Sequence, residues 1–212
     1  MKAYFIFLFI VSSLLVISCS NSSDRRIKNE LLKSKSDTLI KDNPKSELDL
    51  LIFREWTRTL GLISIENGSS DFEMRIWEDI KVFSGRVIII RRHNEKWVAE
   101  MFNYEYEATT SSFPDSLSGE KKILSDPKSG WTNFLNKLLD LEILLLPDYT
   151  TFPNYFVATD EQFTRVEIAR KNYYRAYEYP DPYRRQGYTS AKKMVKILEL
   201  LKKEFLLTSS GS

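Results

Sequence analysis

The side chains best suited to chemistry in this chain gather between residues 165 and 188, RVEIARKNYYRAYEYPDPYRRQGY. The stretch holds six of the 11 tyrosines: Tyr173, Tyr174, Tyr177, Tyr179, Tyr183 and Tyr188. It also holds Arg165, Arg170, Lys171, Arg175, Arg184 and Arg185 against only Glu167, Glu178 and Asp181. Tyrosine and arginine are enriched where surfaces bind partners; tyrosines stack on sugar rings and arginines engage anions. Arg175, Tyr177 and Tyr179 alternate with Ala176 and Glu178, so in a regular strand they share one face. With Tyr183 and Arg184 they form a candidate binding face. A second reading stays open, a hairpin whose aromatics fill cross-strand pairs under arginine stems.

Elsewhere the chemistry is sparse. His93 is the only histidine and sits in RRHNEKW, where Asn94 and the flanking charges announce a turn. A Ser-His-Asp triad would have to use it, and no G-x-S-x-G accompanies it. Zinc sites draw on cysteine and histidine, and the sequence has one of each. It contains no P-loop, no H-E-x-x-H and no acidic calcium loop. No cofactor, metal or catalytic residue is therefore expected. Glu105 and Glu107 in NYEYE share a strand face and read as a solvated pair. A glycosidase-type pair formed from distant carboxylates stays open, because sequence spacing does not fix spatial spacing.

The lone cysteine, Cys19, closes a greasy stretch. Lys2 gives a positive start, an apolar run extends from Ala3 to Val11, and Leu14 to Ile17 follow two serines. An apolar run of about 7–15 residues marks a secretory signal, whereas a spanning helix needs about 20. Val16, Ile17 and Ser18 precede the cysteine in a pattern that resembles the bacterial lipobox, with an aliphatic residue at −3 and a small one at −1. The resemblance implies a diacylglycerol thioether on Cys19, cleavage before it, and acylation of the new amino terminus. The thiol is the nucleophile that accepts the lipid, and a small −1 side chain lets a peptidase approach. Several acyl chains at about 0.8 kcal/mol per buried CH₂ would hold such a terminus in a membrane durably. Ser20 at +2 is unlike the aspartate that retains such proteins in the inner membrane, which favours the outer membrane.

Composition narrows the partners. Removing residues 1–18 takes Lys2 from the 31 basic side chains and none of the 29 acidic ones. The near-neutral balance lacks the basic footprint of nucleic-acid binding. With Cys19 carrying lipid, the exported domain has no thiol for a disulfide, so stability must come from packing. Only 7 glycines occur in 212 residues, well under the usual ~7%, which argues against phosphate-cradling loops.

These groups must be positioned by a domain that starts after a polar stretch. From Cys19 to Lys45 polar and charged residues dominate; as a coil of about 27 residues it would average about 30 Å end to end. A short helix at 27–33 is the one element it could hold. Beyond it, TLGLISIEN (59–67) and DFEMRIWED (71–79) alternate around Gly68–Ser70 and read as a hairpin. SGRVIIIRR (84–92) and KWVAEMFNYEYE (96–107) read as a second, joined through His93–Glu95. Successive strands without helices between them favour an antiparallel meander with one wet face. Asp126 and Pro127 suit a helix start ahead of Trp131, Phe134, Leu135, Leu138 and Leu139. Ile143–Leu146 then enters the core before Pro147. Residues 162–182 read as a hairpin turning at Lys171–Asn172. Ser190 caps a helix that buries Ala191, Met194, Val195, Leu198, Leu201 and Phe205.

The expected organisation is a signal peptide (1–18), a lipid-anchored flexible tether (19–46), one α+β domain (47–207) and a frayed tail (208–212). The order of meander, helix, LLLPDY, tyrosine-rich hairpin, YPDPY and closing helix resembles a family of uncharacterised Gram-negative envelope lipoproteins. That resemblance implies an envelope location and a single α+β domain of an antiparallel meander packed with two helices, and assigns no catalytic or binding residue. The expected partners are a membrane through the lipid, an envelope protein, and alternatively a glycan on the tyrosine-rich hairpin. Nucleic acid is not expected. A non-enzymatic binding, scaffold or inhibitor module is the leading reading, and a hydrolase the third.

Overall fold

A computed structural model of the protein describes residues 22, 24–32, 40–42, 47–80, 84–106, 117–153 and 161–207. The elements are β1 (Ile40–Asp42), α1 (Glu47–Thr59), β2 (Phe72–Ile80), β3 (Ser84–His93), β4 (Lys96–Tyr106), β5 (Leu117–Ile123), α2 (Trp131–Asp140), β6 (Phe163–Arg170), β7 (Tyr173–Pro180) and α3 (Thr189–Phe205). The fold is α+β. Its sheet runs β1-β7-β6-β2-β3-β4-β5, antiparallel throughout except that β1 lies parallel to β7.

Alternation sends Phe72, Met74 and Ile76 of β2 to one face, where Ile88, Ile90, Val166 and Ile168 join them. Helices α2 and α3 cover this face with Phe134, Leu135, Leu138, Met194, Leu198 and Leu201. The apolar positions expected of α3 are all buried, and Ile197 joins them. Burial of apolar area contributes about 25 cal/mol per Å², and this two-helix layer packs on the core cluster with the most buried residues described.

The opposite face departs from expectation. It is not wet: Trp77, Val87, Ile89, Tyr104 and Phe163 are buried there beneath Phe53 and Trp56 of α1, with Phe53 edge-on to Trp77 at 4.7 Å. Residues 59–67, expected as a strand, instead carry the end of α1 and an irregular connection to β2. Its Ile65 covers Ala169, Tyr174 and Ala176. The alternation of Leu60, Leu62 and Ile65 reflects intermittent contact with the sheet, and Ile63 is 84% exposed. Strand β3 explains why two covers are needed. Its Val87–Ile90 run is buried without interruption, as a strand covered on both faces must be.

The two hairpin turns fall where expected. His93 pairs with Lys96 across Asn94 and Glu95, both at positive φ, the backbone that two-residue hairpin loops require. Arg170 pairs with Tyr173 across Lys171 and Asn172. Gly68 sits at φ 92 against that turn, and a Cβ there would lie 1.7 Å from the Lys171 carbonyl oxygen. Strand β5 (LSGEKKI) carried no apolar alternation and was not anticipated.

Helix boundaries differ in detail. Helix α2 begins at Trp131 behind Gly130 at φ 76, with no side-chain cap. Asp126 accepts from Trp131 Nε1 at 2.9 Å instead. Tyr188, not Ser190, stands at the cap of α3. Ile143 and Leu146 enter the core, whereas Leu145 between them is 70% exposed.

The expected tether is corrected over part of its length. Lys28–Leu32 forms a π-helical turn, and Ile27 and Leu31 are buried in the main core. Ile27 and Leu31 stand one helical turn apart, so a single face of this polar stretch is apolar enough to dock.

Candidate functional site

The candidate face Arg175–Tyr177–Tyr179 is overturned by burial. Tyr177 is 1% and Tyr179 0% exposed, packed edge-to-face at 6.0 Å. Their side chains point into the α2–α3 layer. Tyr177 donates to the Ile143 carbonyl at 2.7 Å and Tyr179 to the Pro147 carbonyl at 2.6 Å. Arg175 donates to the carbonyls of Leu144 and Leu146. Burial pushes both phenols above their ordinary range. Each polar tip ends on the turn after α2, so the cluster binds the chain's own loop. Tyr183 and Arg184 remain exposed in the turn after β7. Arg184 pairs with Asp181 at 3.0 Å and Lys202 lies over the Tyr183 ring at 5.4 Å. They are not continuous with buried Tyr177 and Tyr179.

His93 is exposed in its turn, and Glu105 is exposed near the far end of β4. Glu107 lies outside the described residues, as does Cys19. Among the described residues no group of three His, Cys, Asp or Glu side chains is placed to hold a metal, and no helix is long and apolar enough to cross a membrane.

A buried polar network under α1 escaped sequence reasoning. Glu167 accepts from Trp77 Nε1 at 2.9 Å and from the Tyr174 hydroxyl at 2.7 Å. Arg165 bonds Glu178 at 2.8 Å and lies over the Phe53 ring at 4.2 Å. Arg165 and Glu167 are 1% and 3% exposed. Alternating charges on β6 resemble a solvated face, and only the missed α1 explains their burial. The network is sealed under that helix, so its role is to fix the sheet's second layer.

A concave feature lies where the amino-terminal segment meets the sheet. It is a cleft of about 830 Å³. Asp24, Lys28 and Asn29 line one wall; Asp71, Arg92, Glu95 and Trp97 line another; Thr132 and Leu135 of α2 close it. Thr132 donates to Asp24 at 3.0 Å, and Arg92 faces Asp71 at 3.3 Å. Trp97 stacks on Trp131 at 6.1 Å with 25° between planes and meets Phe72 edge-on at 5.5 Å. Trp97 is the one aromatic among the described lining residues, and its indole beside charged and amide groups suits a polar ligand with an apolar face, such as a sugar or a short peptide. Sequence reasoning missed this cleft because one wall belongs to the stretch read as tether. The available signal was the Ile27/Leu31 spacing.

No family model matches the chain, and neither does any curated protein or solved structure.

Proposed function

We propose that this protein is a non-enzymatic binding module of the cell envelope, anchored by lipid on Cys19 and directed to the outer membrane. The observation that carries the binding reading is the 830 Å³ cleft, whose walls mix charge, amide and the Trp97 indole. The anchoring reading is supported by the leader and by Val16-Ile17-Ser18 before the single cysteine. The resemblance to Gram-negative envelope lipoproteins belongs to the same proposal. An envelope protein that inserts a polar segment is the first choice of partner.

Glycan is the second reading, and the Trp97 indole in the lining favours it at the cleft rather than at the buried tyrosine hairpin. Affinity capture of the lipidated protein from its own envelope, alongside titration with soluble envelope glycans, separates the two. Trp97→Ala should weaken whichever ligand binds. Capture and titration both unaffected by Trp97→Ala would overturn the cleft as the site. For the anchor, Cys19→Ala should abolish lipid labelling and block processing before residue 19; retained labelling would overturn it.

A further inference from the structure

Among the described residues the buried arginines are Arg75, Arg86, Arg165 and Arg170. The first three are neutralised within the sheet, by Glu73, Glu78 and Glu178 at 2.7, 2.7 and 2.8 Å. Arg170 is the exception. It is 5% exposed, yet no described carboxylate pairs with it, and burial holds its guanidinium below the ordinary value. Buried charges are normally paired, because an uncompensated one is costly. The hydrogen bonds of Arg170 leave one edge of the guanidinium unused. Nη1 donates to the carbonyls of Glu30 and Leu31, and the Tyr173 ring centre lies 4.7 Å from the guanidinium carbon. Nε makes no hydrogen bond, and Nη2 makes none to a described residue. An arginine edge with two such donors matches a carboxylate through two parallel bonds.

A pocket of about 190 Å³ lies beside this edge, lined by Arg170, Asn29 and Tyr173 and by Leu139, Leu144 and Leu145. Glu30 and Glu142 also line it, but each already faces another cation, Arg26 and Lys193. Asn29 supplies an amide, and Leu145, 70% exposed, carries the aliphatic wall to the surface. An anion with a short apolar chain suits these walls. We propose that this pocket is a carboxylate site, in which Arg170 takes the anion and the three leucines take a short aliphatic chain. Nε is closed to solvent, so the ligand seats through a side-chain rotation of the kind binding commonly brings. The carboxylate comes from a free branched acid or from the carboxyl terminus of a peptide. The site is separate from the cleft proposed above; Asn29 alone among the described residues lines both.

The test follows the Arg170 Nε–H resonance of isotope-labelled full-length protein at constant ionic strength. Isovalerate, its neutral amide, N-acetyl-leucine and inorganic phosphate are added in turn. Isovalerate should shift the resonance saturably and raise the melting temperature, whereas the amide should do neither. Arg170→Lys keeps the charge and loses the planar fork, so it should weaken isovalerate binding several-fold while the circular dichroism spectrum stays that of wild type. N-acetyl-leucine bound several-fold tighter than isovalerate supports a peptide terminus as the source; equal or weaker binding supports the free acid. No shift with either carboxylate overturns the site and leaves Arg170 as a brace for the amino-terminal segment. A shift as large with the amide, or with phosphate (an adventitious ion only), overturns it too.

Discussion

The Tyr177 hydroxyl donates to the carbonyl oxygen of Ile143 at 2.7 Å, joining β7 to the turn that follows α2. Arg175 and Tyr179, the two neighbours on the same face, end on Leu144, Leu146 and Pro147 in the same turn. A row of side chains chosen for its binding chemistry thus spends that chemistry internally.

Tyr177→Ala should cost about 3–5 kcal/mol, as for other buried aromatics cut to alanine. Tyr177→Phe keeps the ring and orphans one carbonyl, at about 1–3 kcal/mol. Urea unfolding measures both. Near-wild-type stability of the alanine variant would contradict the burial.

Glu204 gives a pH dependence. Burial alone would raise its carboxyl, but hydrogen bonds from Lys137 and from the Ser129 amide and hydroxyl outweigh it and hold the group below its ordinary value. A depressed native value means stability is fully present above the unfolded-state value near 4.3 and is lost as pH falls through the native one. Glu204→Gln should therefore be less stable than wild type at neutral pH, with the gap closing on acidification below about pH 4. Thermal melts across pH check this; a gap that does not close would contradict it.

Glu167→Leu should be strongly destabilising. It strips a partner from Trp77, from Tyr174 and from the charge of Arg165 in one dry site. Losing one member of a buried pair costs about 3–5 kcal/mol. Near-ultraviolet circular dichroism should also change, since Trp77 and Tyr174 lose their fixed geometry. An unaltered spectrum with unaltered stability would place this network in solvent.

Leu31→Asp should release the amino-terminal segment. Trypsin sites at Arg25, Arg26 and Lys28 should then be cut much faster than in wild type, as timed digestion followed by mass spectrometry would show. Equal rates in the two proteins would restore the freely coiled tether.

What could be read from residues alone follows a physical boundary. The α3 face, both two-residue turns and strands β2, β3, β4, β6 and β7 were legible, because each is written in local periodicity or turn chemistry. Helix α1 was not, although Phe53 and Trp56 mark its apolar side, and its absence made Arg165 and Glu167 read as solvated. The cleft was out of reach for a related reason. Its walls come from segments far apart in the chain, and only tertiary contact makes Asp24 and Trp97 neighbours. Tyr177 and Tyr179 show the converse error, since residue type alone does not tell a hot spot from a buried brace.

The contact between Arg170 and the Leu31 carbonyl joins residues 139 apart in the chain. Closing so long a loop is slow compared with forming the hairpins between them. Because synthesis runs from the amino terminus, residues 24–32 emerge early, yet their seat exists only once β6 and the helices are made. Until then Ile27 and Leu31 are two apolar side chains without the core that buries them. Their docking therefore comes late, because the core that receives them needs the finished sheet and both covering helices.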